Sequence, residues 1–320
     1  MHFEKGESML KRITCAVAVA FIAFISLTNT TTSKAQDTAG RTISVIPPSF
    51  ELYANPGESI TDKIRVRNDS AVETSYTIMV EDFQAVGEEG QVNLIDDSQP
   101  STTYSLAQWV TPTPSSFSLK PGAEREVAFS INVPKDAEPG GHYCSVLVKM
   151  GGETKTEGSG ASVASRVGSL ILLRVSGNVK EEASVESFTT NENYYEKSPV
   201  NFELRVKNAG NNHIRPKGTI VITNIFGQKV TEIPLNGLNV LPDAIRKMDT
   251  RWEFSASLAS RYTATLVATY GQQNKPLSES VSFWVFPKYL GYVAGGIFVL
   301  IIILIFGRKQ VKRILHNLTK

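Results

Sequence analysis

The sequence predicts an all-β protein: two tandem Ig-like β-sandwich domains followed by one C-terminal transmembrane helix. Three observations predict it. Between Arg41 and Pro287 apolar residues recur with a period of two, and no long stretch keeps a helical period. Glycine and proline turn signals separate these runs at the spacing of a sandwich. Beyond them, nineteen residues from Tyr289 to Gly307 carry no charge.

Taken in chain order, residues 1–35 read as a secretory signal peptide. Lys5, Lys11 and Arg12 precede an apolar run from Ile13 to Leu27, and Ser33-Lys34-Ala35 is a small-x-small cleavage site. At the other end, residues 289–307 are long enough to span about 28 Å at 1.5 Å per residue. Residues 308–320 hold Arg308, Lys309, Lys312, Arg313 and Lys320 with no acid, which predicts a basic cytoplasmic tail. The expected topology is single-pass type I in the cell membrane, body outside. Tyr289, Tyr292 and Trp284 are expected near the outer interface.

The whole chain has a formal charge of +2. Setting aside four basic and two acidic residues in the signal and five basic residues in the tail, the body carries −5. A net acidic body offers no basic footprint for nucleic acid.

Within the body the alternating sets are Ile60, Ile64, Val66; Tyr76, Ile78, Val80; Val127, Phe129, Ile131, Val133; and Cys144, Val146, Val148. Later sets are Val200, Phe202, Leu204, Val206; Tyr262, Ala264, Leu266, Ala268; and Val281, Phe283, Val285. Each is expected to turn one face to a core and one to water. A domain boundary falls near Val179–Ala183, giving sandwiches over 41–178 and 181–287.

A weak repeat relates the two halves. "IRVRNDS" ends a strand at Asn68 and "LRVKNAG" ends one at Asn208, while "HYCSVLV" and "RYTATLV" pair Tyr143 with Tyr262. The Asn-to-Tyr interval is 75 residues in the first copy and 54 in the second. The surplus is assigned to Gln84–Tyr104, a stretch with Glu88, Glu89, Asp96 and Asp97. Long insertions of this kind commonly bind something. Phe83, Tyr104 and Trp109 flank it as candidate ligand-contacting aromatics, with a core position as the competing reading for Trp109. The four acids lack the regular oxygen-ligand spacing of a calcium loop. A second loop, Gly151 to Ser165, has a mobile-connection composition.

No catalytic residue is assigned. Between Gln36 and Pro287 the G-x-S-x-G, S-x-x-K, P-loop and zinc-ligand spacings are all missing, so no enzyme activity, metal or cofactor is expected. His142 and Cys144 share a strand face, but Cys144 fits the apolar series and reads as a buried structural thiol. His213 lies in a loop with no acid nearby in sequence.

The opening "TISVIPPSFELYANPGESITDKIRVRN", then Trp109, "VPKDAEPGGHY" and "RVGSLILLRVSG" resemble the peptidoglycan-binding module of WxL-interacting proteins. The resemblance covers 41–178; over 181–287 it is one of architecture. It implies a membrane-anchored bacterial surface scaffold that contacts cell-wall peptidoglycan and displays surface protein partners. The alternative is an extracytoplasmic chaperone-like subunit that holds a partner by β-strand addition, for which an apolar edge near Leu170–Val175 would speak.

Overall fold

A computed structural model describes residues 43–95, 103–151, 166–254, 259–286 and 288–318, with side chains in the terminal helix described as far as 305. The signal segment, Asp96 and Asp97, and all of the second loop except Gly151 lie outside the described residues.

Two sheets are built from residues 43–175. One has the order β1 (Ile43–Ile46), β3 (Ser59–Asn68), β8 (Glu124–Asn132), β6 (Val110–Thr113). The other has the order β2 (Ser49–Ala54), β10 (Arg166–Val175), β9 (Gly140–Gly151), β4 (Thr74–Val86), β5 (Gln91–Ile95), with β7 (Ser116–Leu119) also on β4. The chain changes sheets at Pro47-Pro48, where two missing amide donors interrupt the ladder. β1 pairs antiparallel with β3, and β2 then pairs parallel with β10.

Two further sheets come from residues 183–285. They are β11 (Ala183–Thr190), β13 (Val200–Asn208), β16 (Ile245–Trp252); and β12 (Tyr194–Tyr195), β18 (Lys275–Val285), β17 (Ser260–Tyr270), β14 (Lys217–Thr223), β15 (Lys229–Pro234). The architecture is therefore all-β, two Ig-like sandwiches, with a single α-helix, α1 (Lys288–Leu318), among the described residues. Its Lys288–Ile305 portion is long and apolar enough to cross a membrane. The helix does not stop at Gly307; it continues through the basic residues to Leu318, because nothing from Arg308 onward breaks a helical backbone.

Each sandwich buries the apolar face that the alternation marks. In the first, Ile64, Val66, Val127, Phe129 and Ile131 meet Cys144, Val146, Ile171 and Leu173 across the sheets. In the second, Phe202, Leu204, Trp252, Tyr262, Leu266 and Phe283 form the centre. A fully buried side chain of this size contributes about 1.5–3 kcal/mol.

The repeat has a physical basis in its asparagines. Both end a strand and are fully buried. Asn68 Nδ2 donates to the carbonyls of Val72 (2.8 Å) and Leu119 (2.9 Å), and its Oδ1 accepts from the Ser70 amide (3.0 Å). Asn208 does the same with Asn212 (2.8 Å), Val240 (2.9 Å) and the Gly210 amide (2.9 Å). Each side chain closes the turn after its strand and ties it to a distant segment.

The tyrosines are not equivalent. Tyr262 faces the core of its own sandwich, whereas Tyr143 lies one register off the inward series Cys144, Val146, Val148 and faces outward. β9 also departs from one-sided burial: Gly140 through Val148 are all buried. Something covers its second face.

Replacing Asn208 with Ala leaves two carbonyls and an amide without their buried partner. Chemical denaturation should show a loss of about 2–3 kcal/mol in unfolding free energy.

Candidate functional site at the junction of the two sandwiches

What covers the outer face of the β9 sheet is, in part, the second sandwich. Phe83 of β4, Tyr143 of β9 and Leu172 of β10 form a separate apolar cluster, with Leu170, Val92, Leu94, Tyr104 and, from the second sandwich, Leu241 against it. The insertion supplies one flank. It is a β-hairpin in which β5 pairs with the end of β4, from Asp82↔Ile95 to Val86↔Gln91. Its turn reaches Arg246, whose guanidinium lies where a side chain on Gly90 would go; Gly90 also has φ +82°, a conformation that favours glycine.

Polar contacts fix the two bodies in register. The Tyr143 hydroxyl accepts a hydrogen bond from the His213 amide (2.8 Å) and lies 3.3 Å from Nδ1 of that ring. Asn211 bonds both sides: its carbonyl accepts from Gly141 N–H (2.8 Å), its Nδ2 donates to the Pro139 carbonyl (2.8 Å), and its Oδ1 accepts from the Lys180 amide (2.8 Å). Gly140, at φ +135°, lets the chains approach, since a Cβ there would lie 2.6 Å from the Asn211 carbonyl oxygen. Arg205 binds the Glu88 carboxylate as a fork, and the Lys247 amide donates to the Glu88 carbonyl (2.9 Å). Glu51 receives Arg215 and Asn239. In the connecting segment, Glu181 forms a largely buried pair with Arg174 at 2.5 Å.

Beside these contacts a groove of about 720 Å³ is lined by Phe83, Gln84, Tyr104, Tyr143 and residues 241–245. Two of the three aromatics expected to contact ligand thus come together here. Phe83 is only 2% exposed and packs on Tyr143 with ring centres 5.8 Å apart. Tyr104, partly buried, sends its hydroxyl to Asp243 Oδ2 (3.1 Å). Burial, then the hydrogen bond to Asp243 and the charge of that carboxylate, push its pKa up to about 12. Asp243 itself has φ +59°, which an aspartate tolerates better than most residues.

Trp109 is elsewhere. It packs against the first core and on His142, with ring centres 4.4 Å apart. Buried Asp82 sets this segment by accepting from the amides of Leu106 (2.8 Å) and Ala107 (2.7 Å) and from the Ser105 hydroxyl. Glu88 and Glu89 face cations of the second sandwich, Arg205 and Lys247. Arg205 holds the Glu88 carboxyl below the usual range.

His142 is buried with its ring nitrogens 3.0 Å from the Ser105 and Glu138 carbonyls. Cys144 is a free thiol in the core, and burial drives its pKa up. Among the described residues no group of three or more His, Cys, Asp or Glu is arranged to hold a metal ion. Sequence reading missed Tyr143, Asn211 and His213 as junction residues, since their partners lie about 70 positions away.

The apolar edge that would speak for strand addition is not found at Leu170–Val175, because β2 covers that stretch in parallel register from Leu170↔Ser49 to Val175↔Ala54. β10 begins four residues earlier, and Arg166 to Ser169 pair only with β9. The Leu170 amide points toward β2, donating to Pro48 O (3.0 Å), so by alternation the amides of Gly168 and Arg166 point the same way. Among the described residues no strand meets them there.

The fold and junction define a class: two joined β-sandwiches carrying one apolar C-terminal helix. No family model and no curated protein matches the chain. Among solved structures it is similar to the class 5 fimbriae chaperone CfaA, at 14% identity over 77% of this chain and 99% of that one, TM-score 0.38. It is also similar to the chaperone DraB of E. coli (11%, 77% and 96%, TM-score 0.34) and the chaperone CupB2 of Pseudomonas aeruginosa (9%, 75% and 99%, TM-score 0.32). Likeness at this level carries no functional argument.

His213 gives the junction a pH dependence. Burial lowers its pKa to about 4, with Arg174 and Arg215 adding to the effect and Glu51 opposing it. The neutral ring lets Nδ1 accept from the Tyr143 hydroxyl; a protonated Nδ1 could not. The unfolded state, with a pKa near 6.5, binds the proton more readily, so this stabilisation is complete above about pH 6.5 and is lost as pH falls toward 4. Between those values the melting temperature of the protein should fall more steeply than that of His213→Gln; parallel slopes would remove His213 from the account.

Proposed function

We propose that the protein is a membrane-anchored, non-enzymatic binding protein of a bacterial surface, which holds a protein partner by accepting one of its strands. The observation that carries this is the stretch of β10 at Arg166–Gly168, where the outward amides and carbonyls meet no strand on one side among the described residues. Such an edge templates an incoming extended segment through main-chain hydrogen bonds. The edge is short and begins with a charged residue, features that disfavour pairing with a second copy; Arg166 pairs with Glu81 at 2.8 Å. Leu170, four residues on from Arg166, reaches the inter-sandwich space together with Ser49 and Leu172, where an apolar side chain of the partner could pack.

A second reading rests on the resemblance of residues 41–178 to WxL-interacting proteins: contact with cell-wall peptidoglycan, and display of surface proteins. Trp109, partly exposed, is then the aromatic that fits a sugar contact best, since Phe83 is buried in the junction.

Amide exchange separates the two. The full chain in bilayers is compared alone, with purified sacculi, and with a solubilised extract of surface proteins. Strand addition predicts fast exchange at Arg166 and Gly168 in the first two samples and protection in the third. Co-sedimentation with sacculi, with protection around Trp109 and none at 166–168, would replace strand addition with wall binding.

A further inference from the structure

The second sandwich carries an apolar crown at the end from which α1 leaves. β14 ends at Thr223, in the rung that continues through Thr263 to Ser282 of β18. From that rung β18 runs on through Trp284 and Val285, and α1 begins at Lys288. The β14–β15 turn extends beyond the same rung, in the same direction. Its tip presents Ile225 and Phe226, 60% and 79% exposed. Trp284, Tyr194 and Phe286 are also exposed at this end, and the rings of Tyr194 and Phe286 stack with centres 6.4 Å apart. At about 3.3 Å per residue Ile225 and Phe226 lie roughly 7–10 Å, and Phe286 roughly 13 Å, past the common rung.

The tip is built, not loose. Asn224 Oδ1 accepts from the amides of Phe226 and Gln228, each at 3.0 Å, and its carbonyl accepts from Gly227 (2.9 Å). Gly227, at φ +74°, completes the turn. The side chain of Asn224 is thus spent on holding an Ile-Phe pair outward. Scattered exposed apolar residues need no explanation, but five at the one end from which a helix long and apolar enough to cross a membrane leaves do.

We infer that this end of the second sandwich rests in the outer leaflet of the bilayer that α1 crosses, with Ile225, Phe226 and Phe286 inserted at the interface and Trp284 and Tyr194 at headgroup level. The inference rests on α1 spanning the membrane and is independent of what the β10 edge binds. Tryptophan and tyrosine favour this depth because an apolar body and a polar tip meet there. Arg261, exposed in the rung beside Trp284, suits a phosphate layer. Two attachments, helix and turn, would fix the orientation of the sandwich where a single helix would leave it free to swivel.

The test uses the full chain with Cys15→Ser, reconstituted in phospholipid vesicles, with an environment-sensitive fluorophore on Phe226→Cys, on Val72→Cys in the first sandwich, or on Ile297→Cys in the helix. Cys144 is fully buried and stays unlabelled. Lipids carrying a nitroxide near the headgroup should reduce emission at 226 by about twofold, as expected for an apolar group 5–10 Å into the interface, and leave 72 unchanged. A quenched 297 with an unquenched 226 would overturn the inference. So would a 297 that no nitroxide depth quenches, because α1 would then not be in the bilayer. Shielding of 226 on cells but not in vesicles would assign the crown to a protein and also overturn it.

Discussion

The structure depends on one strand being buried on both faces. β9 gives Cys144, Val146 and Val148 to the core of the first sandwich and Tyr143 to the junction with the second. A strand wet on one side would leave two sandwiches on a linker. Here Tyr143 is 2% exposed, its ring packs on Phe83, and its hydroxyl is bound to the backbone of His213. The hydroxyl could not be buried without that partner, and the His213 amide could not be buried without the hydroxyl. Each sandwich therefore completes the other's polar accounting.

From this follows the role of the insertion. The hairpin delivers Glu88 and Glu89 to Arg205 and Lys247. The aromatic residues around it are committed in the same way, Phe83 to the junction and Tyr104 to Asp243. Among the described residues, the main chain at Arg166–Gly168 meets no strand on one side, and the Ile225-Phe226 turn stands exposed at the end from which α1 leaves.

Much of this was legible locally. Period-two alternation found the strands because each sandwich has one apolar face to bury, and the V-x-N endings found Asn68 and Asn208 because a buried amide closes the same turn twice. The terminal helix was legible because charge is missing over a length that matches a bilayer. The misreadings have a common physical cause. Tyr143 was aligned with Tyr262 because sequence shows spacing and not which face a residue serves; the face was decided by His213, 70 residues on. Whether Leu170–Val175 forms an edge is not legible, because β2, more than a hundred residues earlier, is invisible from within β10. His213 seemed to lack an acid because Glu51 is remote in sequence. Contacts between sandwiches are long-range pairings, and no local pattern encodes them.

The most direct measurement is calorimetry on the full chain, followed by the same scan on Tyr143→Ala. If the junction makes the sandwiches one cooperative body, the parent chain gives a single transition whose calorimetric and van't Hoff enthalpies agree. Tyr143→Ala should then split it in two. Two transitions in the parent chain, or a single one that survives the substitution intact, would contradict the account.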